Sequence, residues 1–309
     1  MSFRRALFPL LLGLILVAPS LSARAWADPA IGKRVDAVFA DDAVTLTEAG
    51  KTVLVYRAKP LDPTTEPGRA NYVGALYAPD GTALIEDRPG DHPHQRGAWW
   101  AWMKVQTGGK TVADGWYMKG LSYFVREKRF LGDTQGGGTL TVEVDWMVNS
   151  GPELVYVARE TTKITVRPLK AGVRRVEFDT TITARVDALG LGGSDDDRGF
   201  GGFSIRLVEP EHLTFASGGR TITPGGAALE AGASMGFAWT GGANTPAWTM
   251  GLACKANGQA VTRWMLYNDR SMQNCIFPGR APLVLKKDQA LHLQETLVIR
   301  PAATAKKKP

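Results

Sequence analysis

Apolar residues alternate with polar ones over long stretches of this chain, and this period of two restricts its fold more than any other feature. In residues 139–148 every second residue is apolar, beginning at Leu140 and ending at Val148. The pattern returns from Val176 to Val186 and again from Leu291 to Ile299. Such alternation is typical of strands with one buried face. No amphipathic helix is evident beyond the N-terminal region, so the sequence favours a fold made of strands.

Turn-forming residues separate these stretches. The chain contains 35 glycines and 18 prolines, which disfavour long helices, and 44% of its residues are hydrophobic, enough for a packed core. We therefore predict an all-β fold, a large antiparallel β-sandwich, formed by a single domain over residues 28–303. Residues 304–309 are predicted to be a disordered basic tail.

Residues 1–27 have the pattern of a cleaved secretory signal peptide. Arg4 and Arg5 precede an apolar run from Ala6 to Ala18, and a small-residue cleavage pattern follows at 25–27. About 13 apolar residues are too few for a helix that spans a bilayer, which needs roughly 20. We expect a periplasmic or secreted protein that does not contact the membrane after cleavage.

The charge and the cysteines limit the expected partners. Removal of the signal peptide takes away three arginines and no acid, which lowers the formal net charge from +7 to +4. Three of the remaining positive charges lie in the tail, at 306–308, so nucleic acid is not an expected partner. In an oxidising compartment, Cys254 and Cys275 either form a disulfide or stay two buried free thiols, and their spacing does not decide between these alternatives.

The segment from Asp91 to Gly97 concentrates side chains that can carry chemistry; it reads Asp-His-Pro-His-Gln-Arg-Gly. Pro93 has no amide hydrogen and pushes the preceding residue towards extended dihedral angles. In an extended segment, His92, His94 and Arg96 project to one side. The sequence therefore predicts two imidazoles and a guanidinium over one small patch.

Three uses of this patch stay open. Imidazoles titrate near neutrality, so His92 and His94 are predicted catalytic acid/base groups, and Arg96 is predicted to hold a carboxylate or a developing oxyanion. A His-x-His pair can instead supply two ligands to a divalent metal, although the sequence requires no cofactor. The third use is structural, a turn in which Arg96 pairs with Asp87 or Asp91.

Charged and aromatic residues near this segment are predicted to bind the substrate. The chain has nine tryptophans, whose flat faces both stack on sugars and fill sandwich cores. In a strand, Trp99 faces away from Trp100 and Trp102, so at least one of these rings is expected in the core. The predicted substrate-binding residues are Asp87, Arg88, Asp91, Trp99, Trp102 and Arg206.

Several motifs resemble the signature of the PmoA-like family, a domain of unknown function found in exported, β-rich bacterial proteins. These motifs are Tyr77–Thr82, Glu86–Pro89, Asp91–Gly97 and, less closely, Gly201–Leu207 and Trp264–Pro278. The resemblance implies an architecture similar to the galactose-mutarotase-like supersandwich, in which histidines and a carboxylate act on sugars from a concave sheet. Gln95 departs from the family pattern, which often has a further histidine there.

The family's label, methane oxygenase, does not suit this chain. A membrane copper oxygenase subunit needs several apolar spans of about 20 residues, and the mature chain has none. We predict instead an exported protein that processes a sugar or glycoside by histidine-based acid/base chemistry, as an epimerase, lyase or hydrolase, with a small-molecule or oligosaccharide substrate. The alternatives are a non-catalytic glycan-binding module and a metal-dependent sugar-active enzyme that uses His92 and His94.

Overall fold

The computed structural model describes residues 34–61, 68–208, 211–240, 248–268 and 272–302. Within these ranges the chain contains no helix, hence none that could cross a membrane, and it forms 23 strands. The signal peptide and the basic tail predicted above lie outside the described residues. In chain order the strands are β1 (Val35–Phe39), β2 (Ala43–Glu48), β3 (Lys51–Arg57), β4 (Tyr72–Leu76), β5 (Ala98–Trp102), β6 (Lys104–Thr107), β7 (Lys110–Ala113), β8 (Leu121–Gly132), β9 (Gly138–Ser150), β10 (Glu153–Val166), β11 (Arg174–Ala184), β12 (Leu189–Gly192), β13 (Gly201–Arg206), β14 (Glu211–Ser217), β15 (Arg220–Ile222), β16 (Leu229–Glu230), β17 (Ser234–Thr240), β18 (Trp248–Ala256), β19 (Gln259–Ala260), β20 (Arg263–Met265), β21 (Met272–Ile276), β22 (Leu283–Leu285) and β23 (Ala290–Pro301).

The described strands pair into three antiparallel sheets. The nine-stranded sheet has the order β1-β2-β3-β4-β5-β13-β21-β20-β16. The ten-stranded sheet has the order β15-β14-β17-β18-β23-β11-β10-β9-β8, with β19 paired to β18. A small sheet of four strands has the order β22-β12-β6-β7. The prediction of an all-β, antiparallel fold is confirmed, whereas the domain boundaries at 28 and 303 stay predictions.

The two large sheets pack face to face through aromatic side chains. Trp100 of β5 and Phe203 of β13 both contact Phe178 of β11, with ring centroids 5.4 and 5.5 Å apart. Trp102 of β5 packs on Trp146 of β9 at 5.8 Å. Each contact joins the nine-stranded sheet to the ten-stranded sheet, so the apolar faces predicted from the alternation form the interior of a sandwich.

A second, smaller apolar cluster lies on the other face of the nine-stranded sheet, which we call the outer face. Its buried members are Tyr72, Trp99, Ala101, Trp116 and Met272. Trp99 and Ala101 point to the outer face because side chains alternate along β5 and Trp100 and Trp102 already face the core. The strand β5 is therefore apolar on both sides, and loops cover its outer face.

The two cysteines are free and buried. Cys254 lies in β18 of the ten-stranded sheet and Cys275 in β21 of the nine-stranded sheet. Burial raises the pKa of both thiols above their ordinary value. Of the two alternatives left open by the spacing, the structure contains the pair of buried thiols.

Candidate functional site

The segment singled out above lies in the connection between β4 and β5, and it turns back on itself instead of running extended. The amide of Gln95 donates to the carbonyl of His92 at 2.9 Å, and the amide of His92 donates to that of Pro89 at 3.2 Å. Pro93 therefore occupies the second position of a β-turn, where its fixed φ is favourable. The predicted extended conformation is wrong for this reason. We call residues 86–97 the site loop.

The turn nevertheless brings the two imidazoles together. The ring centroids of His92 and His94 lie 5.7 Å apart, with an interplanar angle of 73°. Asp91, expected on the opposite side, joins them: Nδ1 of His92 lies 2.9 Å from Oδ2 of Asp91. The side chains of Asp91 and His92 are each 46% exposed, so both reach solvent.

A buried arginine from β13 fixes this carboxylate. Arg206 donates from Nη2 to both carboxylate oxygens of Asp91, and from Nη1 to Oε1 of Gln95 at 3.1 Å. Its Nε lies 3.5 Å from Oε2 of Glu86. Although partial burial opposes ionisation of Asp91, hydrogen bonds from His92 and Arg206 hold its pKa below the ordinary value. The predicted substrate contact of Arg206 is corrected, because its side chain is 2% exposed and faces the site loop.

Arg96 also contacts groups within the protein and stabilises the site loop. Its Nη1 donates to the carbonyls of Pro93 and Gln95, at 2.5 and 2.9 Å, and its guanidinium lies 5.5 Å from the centre of the Tyr72 ring. The side chain is 3% exposed. The prediction that Arg96 holds a substrate group is therefore corrected. Its contacts agree with the third alternative, in which the turn has a structural role.

Asp87 and Arg88 lie at the start of the site loop. Oδ1 of Asp87 is 3.8 Å from Nε of Arg96, and its Oδ2 accepts a hydrogen bond from the hydroxyl of Tyr72 at 3.1 Å. Burial raises the pKa of Asp87, although Arg96 and Tyr72 act in the opposite direction. Arg88 is half-buried with a φ of 55°, and its amide donates to the carbonyl of Gln95 at 3.3 Å, which closes the loop.

The two tryptophans predicted to stack on a sugar are inside the protein. Trp99 and Trp102 have exposed fractions of 0% and 1%. Trp102 packs in the sandwich core, and Trp99 packs under the loops on the outer face, 5.9 Å from Trp116. Their direct contact with a substrate is therefore corrected, because neither ring surface is accessible.

An aromatic residue that the sequence did not single out stands beside the imidazoles. The ring of Tyr117, in the turn after β7, lies 4.6 Å from that of His94 and is 37% exposed. Twenty-three positions separate the two residues in the chain, and no motif links them. The neighbouring Trp116 is one of the nine tryptophans of the chain, and it is the closest signal that the sequence offers.

His94 is half-buried and stays neutral over most of the pH range. Desolvation, together with the positive charges of His92, Arg69 and Arg96, lowers its pKa from 6.5 to about 4. The site therefore pairs an imidazole that has a carboxylate partner with one that resists protonation.

Gly97 ends the site loop where two strands approach closely. A Cβ atom at this position would lie 2.5 Å from the carbonyl oxygen of Val73 and 2.7 Å from Cδ1 of Ile85. Contacts this short do not occur, so no other residue fits without displacing β4.

Within the described ranges, no group of three or more His, Cys, Asp or Glu side chains is arranged to hold a metal ion. A cavity of about 830 Å³ lies elsewhere in the molecule, and none of its lining residues belongs to the site loop.

Comparisons with known proteins place the fold in context. A family described as a family of unknown function, DUF6807, matches residues 43–308. No curated protein matches the chain. The resemblance to the PmoA-like family stays a prediction.

Comparison with solved structures gives weak matches to two complexes of variants of the GH36 alpha-galactosidase AgaA from Geobacillus stearothermophilus. The complex with stachyose is 11% identical, with a TM-score of 0.34, and the match covers 87% of this chain and 40% of that one. The complex with raffinose is 10% identical, with a TM-score of 0.29 and the same coverage. The chain thus spans about two fifths of the length of these galactosidase chains, and scores this low do not support a functional assignment.

Proposed function

The chain belongs to this family of unknown function, DUF6807, and we propose that it processes a sugar or glycoside by proton transfer at His92. One observation carries the proposal: the 2.9 Å contact between Asp91 Oδ2 and His92 Nδ1, on a loop that leaves the imidazole exposed. Export to the periplasm or the medium remains part of the proposal.

The contact defines which ring nitrogen acts. An ionised Asp91 accepts a hydrogen bond, so it favours the tautomer of His92 with the proton on Nδ1. The lone pair is then on Nε2, which is the position of a general base, and the carboxylate stabilises the imidazolium that forms. The same imidazolium can return the proton to another atom of the substrate.

His94 supports this chemistry as the second imidazole. Because its pKa is about 4, it adds no positive charge beside His92 at neutral pH. A neutral imidazole can donate one hydrogen bond and accept another, so it can orient a substrate hydroxyl or relay a proton. Proton transfer of this kind takes place at a sugar carbon in epimerisation and elimination and at the glycosidic oxygen in glycoside hydrolysis.

The exposed ring of Tyr117 supports a sugar as the substrate class. Aromatic faces pack well against the C–H-rich faces of sugar rings, and this ring lies directly beside His94. In this proposal Tyr117 takes the stacking role that the sequence suggested for Trp99 and Trp102.

A glycan-binding module without catalysis is the second candidate. The observation that favours it is the number of buried groups that hold the site loop in one shape, among them Gln95, Arg96 and Arg206. A rigid loop beside an exposed aromatic ring is sufficient for recognition of a glycan. In that case the imidazoles contribute hydrogen bonds and no proton transfer.

A substrate screen combined with matched variants separates the two candidates. The screen uses mono- and oligosaccharides, including oxidised sugars, and His92→Gln, His94→Gln and His292→Gln proteins. His292 is an exposed histidine of β23 bonded to Thr181, so it serves as the control. We expect His92→Gln to lower turnover by about 10²- to 10⁴-fold and His292→Gln to leave it unchanged. Turnover that persists in both site variants removes these imidazoles from the mechanism, and binding without any turnover supports the module.

A further inference from the structure

The cavity mentioned above lies at one end of the sandwich, away from the site loop. Its walls come from the β2–β3, β8–β9 and β10–β11 turns and from residues 77–79 after β4. Its volume of about 830 Å³ falls within the range of roughly 300–1,000 Å³ that is typical of sites for small organic molecules.

A buried ion pair contributes to the lining of this cavity. Nη2 of Arg174 lies 2.6 Å from Oε2 of Glu48, and both side chains are more than nine-tenths buried. Glu48 also accepts a hydrogen bond from the amide of Leu169 at 2.9 Å, and Nη1 of Arg174 donates to the carbonyl of Arg167 at 3.2 Å. The Nε of Arg174 is buried and has no acceptor among the described residues.

Three other charged residues within the described ranges line the cavity, of which two are basic and one is acidic. Lys51 and Arg34 line the cavity and are exposed, and no carboxylate of the described residues forms an ion pair with either. The acidic lining residue Asp133 has partners within the protein: its Oδ1 accepts hydrogen bonds from the amides of Gln135 and Gly137, each at 2.8 Å, and its Oδ2 lies 4.0 Å from Nη1 of Arg167. Glu48 is neutralised by Arg174, so the net electrostatic preference of the cavity is for an anion.

Apolar surface makes up part of the wall. Val53 and Ala78 are buried lining residues, and Pro79, Pro168 and Leu169 complete this side. A ligand that suits the cavity therefore combines a negative group with an apolar body.

We propose that this cavity binds a small organic carboxylate. Arg174 has five N–H groups, of which its bonds to Glu48 and Arg167 use two, so donors remain for one oxygen of a carboxylate, and Lys51 can bind the other oxygen. The body of the ligand packs on Val53 and Leu169. The site shares no residue with the site loop, so this proposal stands or falls independently of the proposed function.

The test is calorimetric titration of the purified protein with two carboxylates of different bodies, D-glucuronate and benzoate. Their neutral counterparts, D-glucose and benzyl alcohol, are titrated in parallel. We expect saturable binding of at least one carboxylate and none of its neutral counterpart. Absence of saturable binding by both carboxylates at millimolar concentrations overturns the proposal.

Three variants locate the binding. Lys51→Gln removes one charge and is expected to weaken binding by about 3- to 10-fold, since one exposed charge-assisted hydrogen bond is lost. Leu169→Trp narrows the cavity from a partly exposed position and is expected to abolish binding. Lys110→Gln makes the same charge change at an exposed site on β7 and is expected to have no effect. Equal binding by the wild type, Lys51→Gln and Leu169→Trp overturns the assignment to this cavity.

Discussion

The guanidinium of Arg206 donates to both carboxylate oxygens of Asp91, at 3.0 and 3.1 Å. One partner is buried in β13 and the other is about half exposed on the site loop. Asp91 in turn contacts His92, so a charge inside the sheet determines where an imidazole stands at the surface. Residues 115 positions apart thereby act on one candidate base.

Replacement of Arg206 by glutamine should loosen the site loop and destabilise the fold. The change removes a buried charge that serves Asp91, Gln95 and Glu86, and we expect a loss of about 2–4 kcal/mol in the free energy of unfolding. Urea denaturation measures this loss, and hydrogen exchange of residues 86–97 reports the loosening. Arg300→Gln, at an exposed position of β23, is the control and should change the stability by less than about 0.5 kcal/mol. Equal protection of the site loop in both variants would contradict the role given to Arg206.

Because the pKa of His94 is low, the stability of the folded protein should decrease in mild acid. The pKa is about 4 in the folded protein against an ordinary value of 6.5, so the unfolded chain binds more protons between these two pH values. Stability is therefore complete above pH 6.5 and falls as the pH drops towards 4. Allowing for the partial exposure of the ring, we expect His94 to account for about 2 kcal/mol of this loss.

Unfolding of the His94→Gln protein at pH 7 and pH 4.5 tests this expectation. The variant should lose less stability between these pH values than the wild type does. His292→Gln, which leaves His94 in place, should behave as the wild type. An identical acid response in the wild type and the His94→Gln protein would show that this imidazole is not held neutral.

Asp91, in the same loop, has a linkage of the same sign at a lower pH. Its folded pKa lies below the ordinary value of 3.8, so its contribution is present at neutral pH and is lost as the pH falls through the folded pKa. Asp91→Asn should cost about 1 kcal/mol at pH 7, where the carboxylate is ionised, and this difference should shrink below pH 4. Chemical denaturation at both pH values measures it. A difference that stays constant with pH would mean that the ionised form gains nothing from Arg206 and His92.

Tyr117 and Trp99 should respond in opposite ways to substitution. Tyr117→Ala removes a partly exposed ring, so we expect a small loss of stability and about a 2- to 10-fold loss of affinity for a sugar that binds the site. Trp99→Phe opens space in the outer-face cluster and should cost roughly 1–3 kcal/mol of stability without a change in affinity. Thermal melts and sugar titrations of both proteins give the comparison. A loss of affinity confined to Trp99→Phe would restore the original assignment of that ring.

The two cysteines should be unreactive in the native protein. Both thiols are buried and their pKa values are raised, so little thiolate is present and reagents have no access. A thiol reagent should label the native chain slowly and label both cysteines after denaturation without a reductant. If the denatured chain shows no free thiol, Cys254 and Cys275 are joined in a disulfide.

The regular part of the fold was predictable because period-two alternation is a local signal. Leu140, Val142 and Val144 are fully buried in β9, as the alternation predicts. The sequence did not reveal which strands are neighbours. The pairing of β5 with β13 joins segments about 100 residues apart in the chain, and it depends on contacts that no short motif encodes.

The site loop shows where local inference failed. Pro93 is compatible with an extended segment and with a turn, and the hydrogen bond from Gln95 to His92 selects the turn. The imidazoles were correctly expected near each other, since a turn also brings residues two positions apart together. Arg96 and Arg206 were taken for ligand contacts because their burial depends on the loops and strands packed around them.

Gly97 affects the register in which β5 pairs with its neighbouring strand. Both faces of β5 are apolar, so burial of hydrophobic surface does not by itself distinguish Trp99 from Trp100, and a shift of one residue would exchange the layers that they enter. The backbone of residue 97 lies so close to the carbonyl of Val73 that a Cβ atom does not fit there, so a shift of one residue would bring a residue with a side chain into this position. Glycine at 97 therefore limits the register in which β5 pairs with β4. A substitution at this position should displace the neighbouring Arg96, even though residue 97 itself contacts no ligand.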